Sequence, residues 1–201
     1  GLISTWDKVW QDSNYSSHQL RKQRSANKIN VLVDKGILFK EKIKVLDAGC
    51  GDGTTLLLLK RKFKVDVYGI DISKRALKKA KDYAKQEGES IQLTEADTRV
   101  IPYPSNFFDL ILSWGVIEHF NNYELAIAEF NRLLRPGGTL NLIQPNKLSF
   151  GGLQRKYLEF RGRWESGGQV EFSGRFLNKV LASSGFENIR YFAKPAYSDM
   201  K

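Results

Sequence analysis

Residues 45–56, VLDAGCGDGTTL, run as an apolar strand into Asp47 and then place glycines at 49, 51 and 53 ahead of a helix-forming stretch. A chain that reverses from strand to helix above a ligand needs left-handed backbone and no Cβ at the turn, and glycine supplies both at low steric cost. Dinucleotide turns read G-x-G-x-x-G and bring helix N–H groups onto a pyrophosphate. Here the order is D-x-G-x-G-x-G, with one residue between successive glycines, which reads as a nucleotide-cofactor turn of a different kind.

The rest of the unit agrees. A helical stretch, Thr54 to Lys62, leads to an apolar strand, VDVYGID, that ends at Asp71. An acid at the end of the second strand of such a unit is placed to accept hydrogen bonds from both ribose hydroxyls of an adenosine. A second helix (Ser73 to Glu87) and a third strand, IQLTEAD, follow, and the latter ends on Asp97. The carboxyl ends of parallel strands face the ligand crevice in open α/β sheets, so Asp47, Asp71 and Asp97 are expected to converge on one site. Asp97 alone also fits a helix N-cap or turn, and Asp47 also fits an orienting role in the glycine turn. Three strand-end acids together with the glycines are hard to obtain from capping alone.

With VLDAGCGDG, YGIDIS, EADTRVIPYPSNFFDLILSWGVIEHF and RLLRPGGTLNLIQPN in that order, the chain resembles the class I S-adenosylmethionine-dependent methyltransferases, of the small-molecule "methyltransferase type 11" kind, from about residue 43 to about residue 193. The resemblance implies S-adenosylmethionine as cofactor and S-adenosylhomocysteine as product. It puts the turn with Asp47, Gly49, Cys50, Gly51 and Gly53 under the methionine moiety, Asp71 on the ribose and Ile72 against the adenine face. Asp97 then lies near the exocyclic amine of adenine, Thr98 offers its backbone N–H to the ring, and Ser113, Trp114 and Gly115 border the methionine amino group. The implied fold is α/β, a single doubly wound Rossmann-like domain with a mostly parallel sheet ordered 3-2-1-4-5, right-handed crossovers and helices on both faces. Residues 186–193, FENIRYFA, read as a sixth strand at the edge; a seventh has no candidate before Lys201.

Composition bounds the class. Two hundred and one residues suit one α/β domain, read as an N-terminal helical cap over 1–40 and a methyltransferase domain over 41–201 with a lid-like insertion at 145–175. No apolar run approaches the roughly 20 residues of a membrane span, and no signal sequence opens the chain, so we expect a cytoplasmic protein. The chain opens on Gly1 with its only methionine at Met200, which reads as a trimmed chain or an ordered portion of one. Cys50 is the sole cysteine and only two histidines are present, so neither a disulfide nor a metal site is expected.

The excess of 32 Lys+Arg over 22 Asp+Glu, a net charge of +10, favours an anionic partner and keeps nucleic acid in view as a less favoured one. Much of it sits in KRKFK (60–64) and SKRALKKAKDYAK (73–85), where Ala76, Leu77, Ala80, Tyr83 and Ala84 form an apolar stripe and the lysines a solvated outer face. Enzymes that methylate exocyclic base amines carry an Asp/Asn/Ser-Pro-Pro-aromatic motif after the fourth strand, where this chain reads SWGVIEHF. Pyrimidine ring-carbon methylation needs a cysteine nucleophile, and Cys50 lies in the cofactor turn instead.

Three segments frame the acceptor side. Trp6 and Trp10 share one face of an N-terminal helix, which either packs on the domain or, as the resemblance implies, closes over the cofactor, with Trp6 and Tyr15 on the pocket and Arg21 on the methionine carboxylate. Glu118-His119-Phe120 follow the fourth strand. His119 is the candidate general base for an acceptor hydroxyl, its imidazole titrating near neutrality, or else it positions the acceptor or caps the turn; Glu118 binds ligand or orients the loop. The same Glu-His-Phe string resembles lipid cyclopropane synthases, which are longer chains with membrane-facing helices. The third segment, 145–175, carries glycine pairs at 151–152 and 167–168. Arg155, Arg161, Arg163 and Trp164, with Lys156, read there as a substrate clamp or as the outer face of an amphipathic helix. The favoured reading is O- or N-methylation of a small, anionic acceptor. The alternatives are an RNA (tRNA or rRNA) methyltransferase and a non-catalytic S-adenosylmethionine-binding partner protein.

Overall fold

The computed structural model describes residues 2–11, 18–146, 157, 161 and 170–192. Five strands form one parallel sheet: β1 (Lys44–Ala48), β2 (Asp66–Asp71), β3 (Gln92–Glu95), β4 (Phe108–Trp114) and β5 (Leu134–Ile143), in the order β3-β2-β1-β4-β5. The chain reverses direction across the sheet between β1 and β4. In a doubly wound sheet that switch point is where a crevice opens at the strands' carboxyl ends.

Burial explains the sequence pattern. A parallel sheet is covered on both faces, so its central strands are apolar on both sides. On one face, Val45, Val67, Leu110 and Leu112 pack under Ile29 and Leu32 of α2 (His18–Asp34) and Leu56 and Leu59 of α3 (Thr54–Phe63). On the other, Leu46, Ala48, Ile70 and Ile111 pack under Ala126, Ile127, Phe130 and Leu133 of α5 (Tyr123–Leu133), with Leu177, Val180 and Leu181 of α6 (Gly174–Ser183) against that core. The helix α4 (Lys74–Gln86) starts where Ser73 accepts the Ala76 N–H as an N-cap, and it buries Ala76, Ala80 and Ala84 while its lysines face outward. Basic residues at the end of α3 and the start of α4 are matched by acids. Arg61 pairs with Glu87 and Glu89, Lys60 with Glu89 and Lys74 with Glu95.

The sixth strand read from 186–193 is not formed over residues 186–192, and residue 193 lies outside the described residues. A strand needs a neighbour to complete its ladder, and none stands beside this segment among the described residues. Its apolar residues find other partners. The Phe186 N–H closes the end of α6 on Leu181, and Tyr191 lies so close to Gly174 that a Cβ there would meet its ring at 3.0 Å. Two helices precede β1, α1 (Leu2–Gln11) and α2; most of the 145–175 insertion lies outside the described residues. No helix among the described residues is long and apolar enough to cross a membrane.

Phe130 is fully buried between α5 and the sheet. Phe130→Ala is expected to lower the unfolding free energy by about 3–5 kcal/mol through lost burial and a residual cavity. A denaturant titration showing a loss below about 1 kcal/mol would mean that α5 does not hold the sheet in this way.

Candidate active site

The glycine turn is stitched to the neighbouring strand before any side chain is considered. The N–H groups of Gly49 and Cys50 both donate to the Ile70 carbonyl, at 2.8 and 2.9 Å, and Gly53 N–H donates to the Cys50 carbonyl. Gly49 and Gly51 have positive φ, and neither has room for a side chain: a Cβ on Gly49 would lie 2.4 Å from Val116, and one on Gly51 2.6 Å from the Trp10 ring. The buried carboxylate of Asp71 then accepts the Gly51 N–H on one oxygen and the Ser73 N–H on the other, both at 2.9 Å. Burial nevertheless raises its pKa, against those hydrogen bonds and that from Ile72.

Around this turn the predicted residues assemble unevenly. Asp47, Cys50, Gly51, Gly53 and Asp71 cluster at the ends of β1 and β2, with Ile72 half-buried beside them. Asp97 stands two residues past the end of β3, in a turn, and both its oxygens are held by the Arg99 guanidinium, which keeps its carboxyl below the usual range. That is the turn-residue geometry left open from the sequence. Thr98 is buried, and its hydroxyl has no hydrogen-bond partner among the described residues. Ser113, Trp114 and Gly115 close β4: Ser113 is buried with an equally unpartnered hydroxyl, Trp114 donates its indole N–H to Asn141 at 2.7 Å, and Gly115 takes a positive φ. Burial pushes the Cys50 thiol well up, with Asp71 and Asp47 adding to the rise, so it is a packed apolar group rather than a nucleophile.

The N-terminal helix lies across the cluster. Trp6 and Trp10 do share a face of α1, and three contacts from that side span the site. Trp10 packs its ring on Gly51, Asp7 accepts the Ser73 hydroxyl at 2.6 Å, and Trp6 meets the His119 ring edge-on at 4.9 Å. His119 is half-exposed on a 3₁₀ turn, Ile117–His119, while Glu118 beside it is buried. The Glu118 carbonyl accepts the Val170 N–H at 2.6 Å, tying the returning end of the insertion to this turn.

Two acids here are held near neutrality. Burial pushes Asp47 up to about 7, with Asp71 and Asp52 adding to the rise and Lys28 opposing it. Burial does the same to Glu118, to about 7, against a backbone hydrogen bond and again against Lys28. Glu118 Oε2 and the Gln144 amide are buried without hydrogen-bond partners among the described residues. Such atoms are costly unless a ligand or solvent completes them, so the strand ends fit a polar, positively charged ligand.

Sequence reasoning missed Lys28, Asp52, Asp7, Asn141 and Gln144. Lys28 carries no local signal that separates it from the many other lysines, whereas Asp52 sits inside the glycine turn and accepts the Thr54 N–H and hydroxyl, an Asx arrangement. Arg21 pairs with Asp52, its Nε 2.7 Å from the carboxylate. Arg161 is exposed, with its guanidinium over the Tyr157 ring. Tyr15, Arg155, Arg163 and Trp164 lie outside the described residues, and among those described no group of acids, histidines and cysteine is arranged to hold a metal.

Residues 46–142 match the family model described as a methyltransferase domain. A demethylmenaquinone methyltransferase of Thermus thermophilus is 32% identical over 58% of this chain and 54% of its own length. The ajmaline N-methyltransferase of Rauvolfia serpentina is 32% identical over 56% of this chain and 42% of its own. The chain thus spans about half the length of these relatives. Among solved structures, a possible histamine N-methyltransferase of Thermotoga maritima superposes with a TM-score of 0.71 at 19% identity, over 94% of this chain and 82% of that one, which shows the shared fold.

The Asp47 shift sets a testable sign. An acid whose folded pKa lies above its unfolded value near 3.9 stabilises the fold fully only at low pH, and that contribution is lost as pH rises through about 7. In the cofactor-free protein, Asp47→Asn is therefore expected to be more stable than wild type at pH 8, by at most about 4 kcal/mol, and close to it at pH 4. Urea midpoints that differ equally at both pH values would remove the buried charge as the cause.

Proposed function

We propose that this chain is a class I S-adenosylmethionine-dependent methyltransferase that transfers a methyl group to a small-molecule acceptor at the surface framed by His119, Glu118 and Trp6. The observation that carries the reading is the convergence of Asp47, Asp71 and the glycine turn at the sheet's switch point, facing buried polar atoms that lack partners among the described residues. When bound, the cofactor supplies an activated methyl group on a positively charged sulfur.

Everything else is asked of the protein. Asp71 is already fixed by the Gly51 and Ser73 N–H groups, so its remaining lone pairs are aimed without further ordering, as a ribose diol requires. The absence of side chains at Gly49 and Gly51 lets Val116 and the Trp10 ring pack directly on the turn. Trp10, flanked by the Arg21 and Lys79 cations at 5.8 and 5.7 Å from its ring centroid, shields the turn from water. His119 is the proposed general base for an acceptor hydroxyl, with Trp6 holding its ring orientation and Glu118 anchoring the turn beneath it.

The named relatives act on quinone and alkaloid skeletons, which supports a small organic acceptor over nucleic acid. The ion pairs around α4 support the same choice, since they spend part of the basic excess within the protein.

Two measurements check the assignment. Asp71→Asn keeps the side chain's size but not its charge, and is expected to weaken cofactor binding by about 1.5–3 kcal/mol in calorimetry; a wild-type chain that binds no S-adenosylhomocysteine would overturn the reading. His119→Ala should lower kcat by about 10²–10⁴-fold with cofactor affinity intact and erase a limb of the pH–rate profile. Near wild-type kcat would instead indicate alignment of an acceptor that needs no base. Methylation of tRNA or rRNA alone would replace the small-molecule acceptor.

A further inference from the structure

The ends of β4 and β5 meet around Gly115. Its N–H donates to the carbonyl of Ile143, the last residue of β5, at 2.9 Å, so Gln144 leaves the sheet directly beside it. From the other side, a Cβ on Gly115 would stand 3.6 Å from Glu118 Oε1, which lays the Glu118 carboxyl alongside the same residue. The 145–175 insertion also starts and returns here: Asn146 bridges in parallel to Phe172, and the Val170 N–H donates to the Glu118 carbonyl at 2.6 Å. The glycine turn and Asp71 stand at the ends of β1 and β2. This second pair stands at the ends of β4 and β5, with Glu118 next to His119 in the chain.

Neither side chain is satisfied. Glu118 is 2% exposed with its Oε2 unpartnered, and both the oxygen and the nitrogen of the Gln144 amide are buried without hydrogen-bond partners among the described residues. An interior seldom buries three such atoms around one residue for packing alone, since each gives up water without replacement. A positive ligand answers the charge of an acid, but it does not answer a neutral amide, whose nitrogen needs an acceptor. An ammonium can donate to Glu118 Oε2 and Gln144 Oε1 and still leaves Gln144 Nε2 unmet. A carboxylate meets Glu118 as a like charge. A hydroxyl donates to one residue while accepting from the other, and it also accepts from Glu118 where burial, which raises that acid to about 7, leaves it protonated. Accepting the methyltransferase reading above, we propose that Glu118 and Gln144 form an acceptor subsite for a neutral hydroxyl and select hydroxylated acceptors over amines and carboxylates.

The test uses three probes that share one ring and differ in the head group: benzyl alcohol, benzylamine and benzoate. Each is titrated by ligand-observed NMR into the whole chain saturated with S-adenosylhomocysteine, and benzyl alcohol is expected to bind most tightly. Gln144→Met and Glu118→Met should each weaken benzyl alcohol by about 2- to 12-fold, the range for one neutral hydrogen bond, while binding S-adenosylhomocysteine within about twofold of wild type. Glu118→Gln, which keeps a hydrogen-bonding head, should recover most of the loss. Tighter binding of benzylamine or benzoate overturns the selectivity. Benzyl alcohol that does not bind, that binds equally well to both methionine variants, or that is weakened no more than the other two probes overturns the subsite, and in each case S-adenosylhomocysteine binding leaves the cofactor reading intact. A wild-type chain that binds no S-adenosylhomocysteine overturns both readings.

Discussion

The buried carboxylate of Asp71 organises the molecule's working end. One oxygen takes the Gly51 N–H from the turn after β1, the other the Ser73 N–H at the head of α4, so a single side chain fixes the loop of one βα unit to the helix of the next. The turn's other N–H groups donate to backbone carbonyls, and leaving the Gly51 N–H unpaired would cost on the order of 1–3 kcal/mol. The same two bonds set the floor of the crevice at which β1 and β4 diverge. The fold and the site therefore share one constraint.

Around that constraint the protein tolerates electrostatic discomfort. Asp47 and Glu118 lie where burial holds them half-protonated near neutral pH, and Ser113, Thr98 and Gln144 bury polar atoms with no hydrogen-bond partner among the described residues. Elsewhere in the described core the buried side chains are almost wholly apolar. Stability is given up locally where a charged ligand would restore it, which is how binding sites commonly differ from the rest of an interior.

Most of the fold was legible because its signals are local. Glycine spacing, apolar strands bounded by acids, and the period of Ala76, Ala80 and Ala84 each follow from sterics or burial within a few residues. The edge was not legible, since the apolar pattern of FENIRYFA does not say whether another strand stands alongside; Phe186 packs against the core at the end of α6, while Tyr191 and Phe192 stay exposed. The turn acids were partly legible. Asp47 and Asp71 fall at the strand ends, but Asp97 is engaged by Arg99, a cation just two residues away whose guanidinium also lies over Phe120. Lys28 was invisible for another reason: it meets Trp114 at the end of β4 only through the tertiary fold.

The helix α1 touches the site at two places, through Asp7 on Ser73 and Trp10 on Gly51 at the glycine turn and through Trp6 on His119 at the 3₁₀ turn. Because α1 is one ten-residue helix, both contacts depend on a single element. Under the proposed reading, a ligand that displaces Trp10 from Gly51 would also disturb Trp6 against the imidazole, which would couple the two sides of the site through one short helix.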